Sequence, residues 1–163
     1  MWRGDETVKL AIIDKPKNLT INKFIQIANA PKQGSKTGIR YIWYRISQDF
    51  GNIPAKEAST IVITAGVLES SRKKSAAQQQ AMVNELGCEM PKIEDGLLVC
   101  FLPHILSVKM PPIRFYSLAA YSRAQEKIDQ YTLAFGGFSE SGLRVTSSLF
   151  DDESFGVGAL LKL

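Results

Sequence analysis

Apolar and polar positions along this chain fall into stretches with two different periods. Thr7-Val8-Lys9-Leu10-Ala11-Ile12-Ile13 alternates as a half-buried strand does and predicts a first strand, ended by Asp14-Lys15-Pro16. Thr20 then stands where a helix cap would. Ile21, Phe24, Ile25 and Ala28 recur at helical spacing up to Pro31, although Ile21, Ile25 and Ile27 would also suit a strand. Lys32 to Gly38 reads as a loop, and Ile39-Arg40-Tyr41-Ile42-Trp43-Tyr44-Arg45-Ile46 as a strand rich in β-branched and aromatic residues. Gly51-Asn52-Ile53-Pro54 turns the chain into another strand, Thr60-Ile61-Val62-Ile63-Thr64.

The second half carries the most apolar run, Gly96 to Met110. It is too short to cross a bilayer, and it is entered through the turn residues Glu94-Asp95-Gly96, like a buried strand. Pro103 would break it into two strands, Leu97 to Leu102 and His104 to Met110, which mark the centre of the core. Before it, a weakly amphipathic helix is predicted from Ser70 or Ser71 to Leu86, with Arg72-Lys73-Lys74 in its first turns and Gly87 ending it. After it, Ser117 opens a second helix through Leu118, Tyr121, Gln125, Ile128 and Tyr131. Leu133–Phe138 and Leu143–Phe150 form a closing hairpin around Ser139-Glu140-Ser141-Gly142. The pattern as a whole predicts an α+β fold: a single domain over residues 1–163, with a mainly antiparallel sheet of five or six strands and two or three packed helices.

Composition narrows this picture in two places. Two cysteines, Cys88 and Cys100, and a single histidine, His104, cannot assemble the usual zinc sets, and no cofactor motif is present. Cys100 reads as a core thiol and His104 as a satisfied residue after a proline bend. Met1–Glu6 leads into a mixed segment with no apolar signal region, so the expectation is a non-secreted protein on the cytoplasmic side. That expectation makes chance matches of Asn18-Leu19-Thr20, a glycosylation acceptor, and of Arg3-Gly4-Asp5, an adhesion tripeptide.

Charge changes the picture more. The net charge is +4, but between Lys15 and Gln48 stand seven bases and no acid. Such a stretch calls for a polyanionic partner, either nucleic acid or an anionic membrane surface. Lys32, Lys36, Arg40 and Arg45 beside Tyr41, Trp43 and Tyr44 make the mixture that holds phosphates and stacks bases. The alternative places Trp43 and Ile42 in the core with arginines at the strand ends. Arg72, Lys73 and Lys74 oppose a helix macrodipole if they sit in a first turn, which hints at a binding use.

No catalytic constellation stands out, and the expectation is a protein that is not an enzyme. Gly34-Ser35-Lys36-Thr37-Gly38 lacks the spacing of a phosphate-binding P-loop, and Gly136-Gly137 and Gly156-Val157-Gly158 lack the rest of a dinucleotide fingerprint. Asp151-Asp152-Glu153 has no calcium loop around it. The tail, residues 155–163, holds Phe155, Val157, Leu160, Leu161 and Leu163, apolar enough that it must dock on its own core or on a neighbour. Phe155, Val157, Leu160 and Leu161 are therefore the candidate self-association residues.

Leu149-Phe150-Asp151-Asp152-Glu153-Ser154 resembles a run in rhabdovirus matrix proteins. Val108-Lys109-Met110, followed by Arg114-Phe115-Tyr116-Ser117, is similar to a strand-to-helix passage of that family. The resemblance covers about a sixth of the chain, its order differs from the family's, and the family's Lys-rich N-terminal arm and Pro-Pro-x-Tyr motif are missing. It implies a virion protein that self-associates and bridges a ribonucleoprotein to a membrane. The bases and aromatics alone are equally met by a small basic nucleic-acid-binding domain.

Overall fold

A computed structural model describes residues 10–29, 39–106, 120–139, 142–148 and 154–163. The expectations placed on Lys32 to Gly38, Val108 to Met110, Arg114 to Ser117 and Asp151-Asp152-Glu153 lie outside these residues. The fold is α+β, as foreseen; among the described residues it has four helices and two mostly antiparallel sheets, where the pattern suggested one. The three-stranded sheet has the order β1 (Leu10–Lys15), β3 (Ser59–Thr64), β8 (Leu160–Lys162), all antiparallel. The five-stranded sheet has the order β2 (Ile39–Ile42), β6 (Gly142–Ser148), β5 (Tyr131–Ser139), β4 (Tyr121–Ile128), β7 (Phe155–Val157). Its centre is antiparallel, and both edge strands run parallel to their neighbours.

Helix α1 (Ile21–Asn29) forms as its spacing predicts: Thr20 Oγ1 accepts the Lys23 N–H at 3.1 Å, and Ile21, Phe24 and Ala28 face inward. The strand expected over residues 39–46 is shorter. β2 stops at Ile42, and Trp43, still extended, leads into the short helix α2 (Tyr44–Asp49), where Arg45 pairs with Asp49 one turn on. The helix expected from Ser70 or Ser71 also divides. A 3-10 turn occupies Glu69–Ser71, and α3 (Ala76–Glu85) starts only where Ser75 closes a reciprocal capping box with Gln78. Arg72, Lys73 and Lys74 thus precede the helix and are not in its first turn. Gly87 ends α3 in the left-handed region at φ 71°, as foreseen.

The largest correction concerns the apolar run. It is one helix, α4 (Ile93–Leu106), and not a pair of strands. A helix buried on every side has no polar stripe, so its pattern lacks a period and imitates a buried strand. Glu94 and Asp95 are a first turn, not a loop: the Asp95 carboxylate accepts the Lys92 N–H at 2.9 Å, and both acids suit the positive helix end. The helix continues through Pro103, giving up one backbone bond. It does supply the centre of the core, as predicted. Ile93, Leu97, Leu98, Val99, Cys100 and Phe101 are all buried, in one cluster with Ile13, Ile61, Ile63 and Leu160 of the small sheet and Leu133, Phe135, Leu143 and Val145 of the large one. Gly96 is required there, because a Cβ would collide with the Phe135 ring.

The second predicted helix is also overturned. Tyr121 to Ile128 are β4, Tyr131 opens β5, and Asp129, at φ 54°, makes the tight turn between them. Ser122 and Arg123, on opposite faces of β4, are both buried, and cover on both sides hid the alternation of the strand. Arg123 donates to Ser148 Oγ, the Lys74 carbonyl and Gln79 Oε1 at 2.7–3.1 Å, and its guanidinium lies 5.7 Å from the Phe155 ring centre. β5 and β6 pair antiparallel as the predicted hairpin requires, while Glu140, Ser141, Leu149 and Phe150 lie outside the described residues.

The tail docks on its own chain. β7 completes one sheet and β8 the other, and Val157 and Leu160 are buried. The N–H groups of Val157, Gly158 and Ala159 donate in turn to the hydroxyls of Ser71, Ser122 and Thr64 at 2.9–3.0 Å. The Gln79 amide donates to the carbonyls of Ser71 and Phe155 at 2.7 and 3.2 Å. Of the tail's large side chains, Phe155 is half-buried, while Leu161 and Leu163 remain at the surface. Among the described residues, no helix is long and apolar enough to cross a membrane.

Candidate functional site

Two places gather chemistry. The first is the β2 edge of the five-stranded sheet, outermost among the described residues, where β2 passes into α2. Tyr41 alternates outward from β2 and Tyr44 stands on the first turn of α2, at 44% and 70% exposure. Arg144, outward on the neighbouring β6, holds its guanidinium 5.6 Å from the Tyr41 ring centre. Trp43 has a different role. It packs against the core together with Ile42, meets Tyr131 edge-on at 5.9 Å, and has the Arg45 guanidinium 5.7 Å from its ring centre. The core alternative therefore holds for Trp43 and Ile42, and the exposed rings are the tyrosines.

Arg45 is bound to Asp129 at 2.6 Å and to Asp49 at 3.5 Å, so two carboxylates meet its charge. Arg40 lies on β2; Lys32 and Lys36 lie outside the described residues. Arg72, Lys73 and Lys74 are not part of this face. They lie between the Glu69–Ser71 turn and α3, both of which pack on β7 at the opposite edge, four strand spacings or about 19 Å away. The structure thus keeps the two groups of predicted binding residues apart, and brings in Arg144, which strand parity on β6, with Leu143 and Val145 inward, could have flagged.

The second place is a cleft of about 360 Å³ at the N-terminus of α4, lined by Lys15, Glu94, Asp95 and Glu126 above an apolar floor that includes Ile21, Phe50 and Leu160. Lys15 points inward from β1 and is buried, with its ammonium on Asp95 Oδ1 at 2.8 Å and on Glu94 Oε1. Burial pulls the Lys15 pKa down, but Asp95 and Glu94 outweigh it, and the net shift is upward. An ammonium held charged in this way is no nucleophile. Both Glu126 oxygens accept the Ile93 N–H, at 3.1 and 3.2 Å. Burial above all raises the Glu126 pKa, to about 7, a value suited to proton transfer near neutral pH. No motif marks this cluster, because Lys15 and Glu94 are 79 residues apart.

Burial also raises the thiol pKa of Cys100 and, less, of Cys88; both thiols are free. His104 lies on α4. No three or more His, Cys, Asp or Glu among the described residues are grouped to hold a metal ion. No protein-family model matches the sequence, and neither a curated protein nor a solved structure is detectably similar to it.

Proposed function

We propose that this chain is a non-enzymatic nucleic-acid-binding protein that holds a single strand along the edge made by β2 and α2. The observation that supports this reading is the pair of exposed rings on one short stretch of chain, Tyr41 beside the Arg144 guanidinium and Tyr44 three residues on. Exposed aromatic rings stack bases of any identity, and cations around them meet the phosphates. With Arg45 occupied by Asp49 and Asp129, the phosphate-binding set becomes Lys32, Lys36, Arg40 and Arg144. Four neutralised phosphates on a single strand give a slope of log affinity against log salt of about −3.

Fluorescence anisotropy of a labelled single-stranded oligonucleotide tests this. Losing one stacked base is expected to weaken binding about fivefold or more in Tyr44→Ala. Arg144→Glu is expected to weaken it and to flatten the salt slope by roughly one phosphate's share. Unchanged affinity and slope in the double variant would remove the proposal.

A second reading, a matrix-type protein that assembles and also meets an anionic membrane, draws on a different observation. The outer face of the three-stranded sheet is open and apolar. Ile12, Val62 and Leu161 stand in one row across its strands, and Leu10, Ile12, Leu161 and Leu163 are all exposed, Ile12 and Leu163 at 73%. An open apolar patch of this kind marks an interaction surface. Sedimentation velocity over a range of concentrations is expected to show self-association that Ile12→Asp with Leu161→Asp abolishes; a parent protein monomeric throughout would exclude assembly.

A further inference from the structure

Three elements meet at the N-terminus of α4, and each contributes charge. Lys15 comes from β1, Glu94 and Asp95 from α4, and Glu126 from β4. The ammonium of Lys15 already faces two carboxylates, and both oxygens of the Glu126 carboxyl accept the Ile93 N–H, with a further hydrogen bond from the backbone of Glu126 itself. We propose that Glu126 is a proton-operated latch: protonated, it lets the N-terminus of α4 lie closed on β1 and β4, and ionised, it loosens that end of the helix.

The geometry leaves an ionised Glu126 poorly matched. Lys15, Glu94 and Asp95 together carry one net negative charge, to which an ionised Glu126 adds a second; over the whole cleft wall it turns a balanced set of charges into one net negative charge. The other charged groups on the cleft wall are Glu89 and Lys92 before α4, Lys56 and Glu57 before β3, and Lys162 on β8; Gln125 is the polar neighbour on β4 itself. Lys162 is paired with Glu57 at 3.1 Å, and Glu89 accepts from Gln125 at 3.4 Å. Burial is the main cause that lifts the Glu126 pKa from its ordinary 4.5 to about 7, helped by Asp95 and Glu94 and opposed by backbone hydrogen bonds. Between these two values the folded chain holds a proton that the unfolded chain has released. The contribution of Glu126 therefore stabilises the fold least at the alkaline end of that window, falling as pH rises through it and levelling off above about 7.

Amide hydrogen exchange, corrected for the intrinsic pH dependence of exchange, reads the latch directly. Protection at Ile93 to Leu97 is expected to fall about tenfold or more between about pH 5.5 and about pH 8, while β5 and β6 change less. Glu126→Gln, a neutral stand-in for the protonated acid, is expected to keep the high protection at both values. Equal protection of the parent at both, or an equal fall in Glu126→Gln, would overturn the proposal. Should that variant not fold, carbon NMR of the parent's Glu126 carboxyl decides. A midpoint near 7 that tracks the loss of protection supports the latch, and a midpoint near 4.5 overturns it.

Discussion

A chain ending at Ser154 is expected not to fold. Losing the residues after it removes an edge strand from each sheet, because β7 and β8 lie in different sheets. Val157 and Leu160 leave the interior, at roughly 1.5–3 kcal/mol each. The Ser71, Ser122 and Thr64 hydroxyls, which now take three consecutive tail N–H groups, lose those partners where they are buried, at about 1–3 kcal/mol for each group left unsatisfied. The Gln79 amide loses the Phe155 carbonyl as well. Together these losses rival the about 5–15 kcal/mol that holds a whole domain. Circular dichroism and proton NMR check the outcome: a dispersed spectrum with a cooperative melt would show that the tail is dispensable to the monomer.

Phe101→Ala should cost about 3–5 kcal/mol. The ring is fully buried on α4 and lies 6.1 Å from that of Phe24, so it joins the central helix to α1. Its neighbours along α4, from Leu97 to Cys100, are equally buried, and a hole there has close-packed walls that cannot collapse freely. Urea unfolding is expected to show a lower midpoint with little change in slope. An unchanged midpoint would place the core elsewhere.

Elements with a strong local signal were legible in the sequence. Thr20 caps α1, Gly87 stops α3, and the alternation on either side of the Gly142 turn gives the β5–β6 hairpin. Elements whose signal depends on their surroundings were not. α4 is apolar on all sides, so its residues announce burial without announcing helix. β4 buries polar Ser122 and Arg123 on its two faces, against partners supplied by α3, β6 and the tail, and local spacing then favours the wrong period. β2 ends early because Trp43 turns the chain into α2, which no breaker residue marks.

The candidate surfaces were half legible for the same reason. Tyr41 and Arg45 were read from a basic, aromatic stretch, but only the fold separates the exposed Tyr41 and Tyr44 from Trp43, packed on Tyr131, and sets Asp129 against Arg45. Arg72, Lys73 and Lys74 carry the right charge on the wrong edge. The Lys15, Glu94, Asp95 and Glu126 cluster joins segments far apart in the chain, and the acids looked like a turn until α4 was seen to begin there.

The most direct test of the binding proposal is to photo-crosslink the protein to a single-stranded oligonucleotide carrying a photoreactive base and to map the adducts by mass spectrometry. Trypsin cuts after Arg40 and Arg45, which isolates Tyr41-Ile42-Trp43-Tyr44-Arg45 as one peptide. Stacking on the β2–α2 edge predicts adducts on Tyr41 and Tyr44 within that peptide. Adducts confined to peptides from the opposite edge, around Arg72 to Lys74, or no adducts at all, would contradict it.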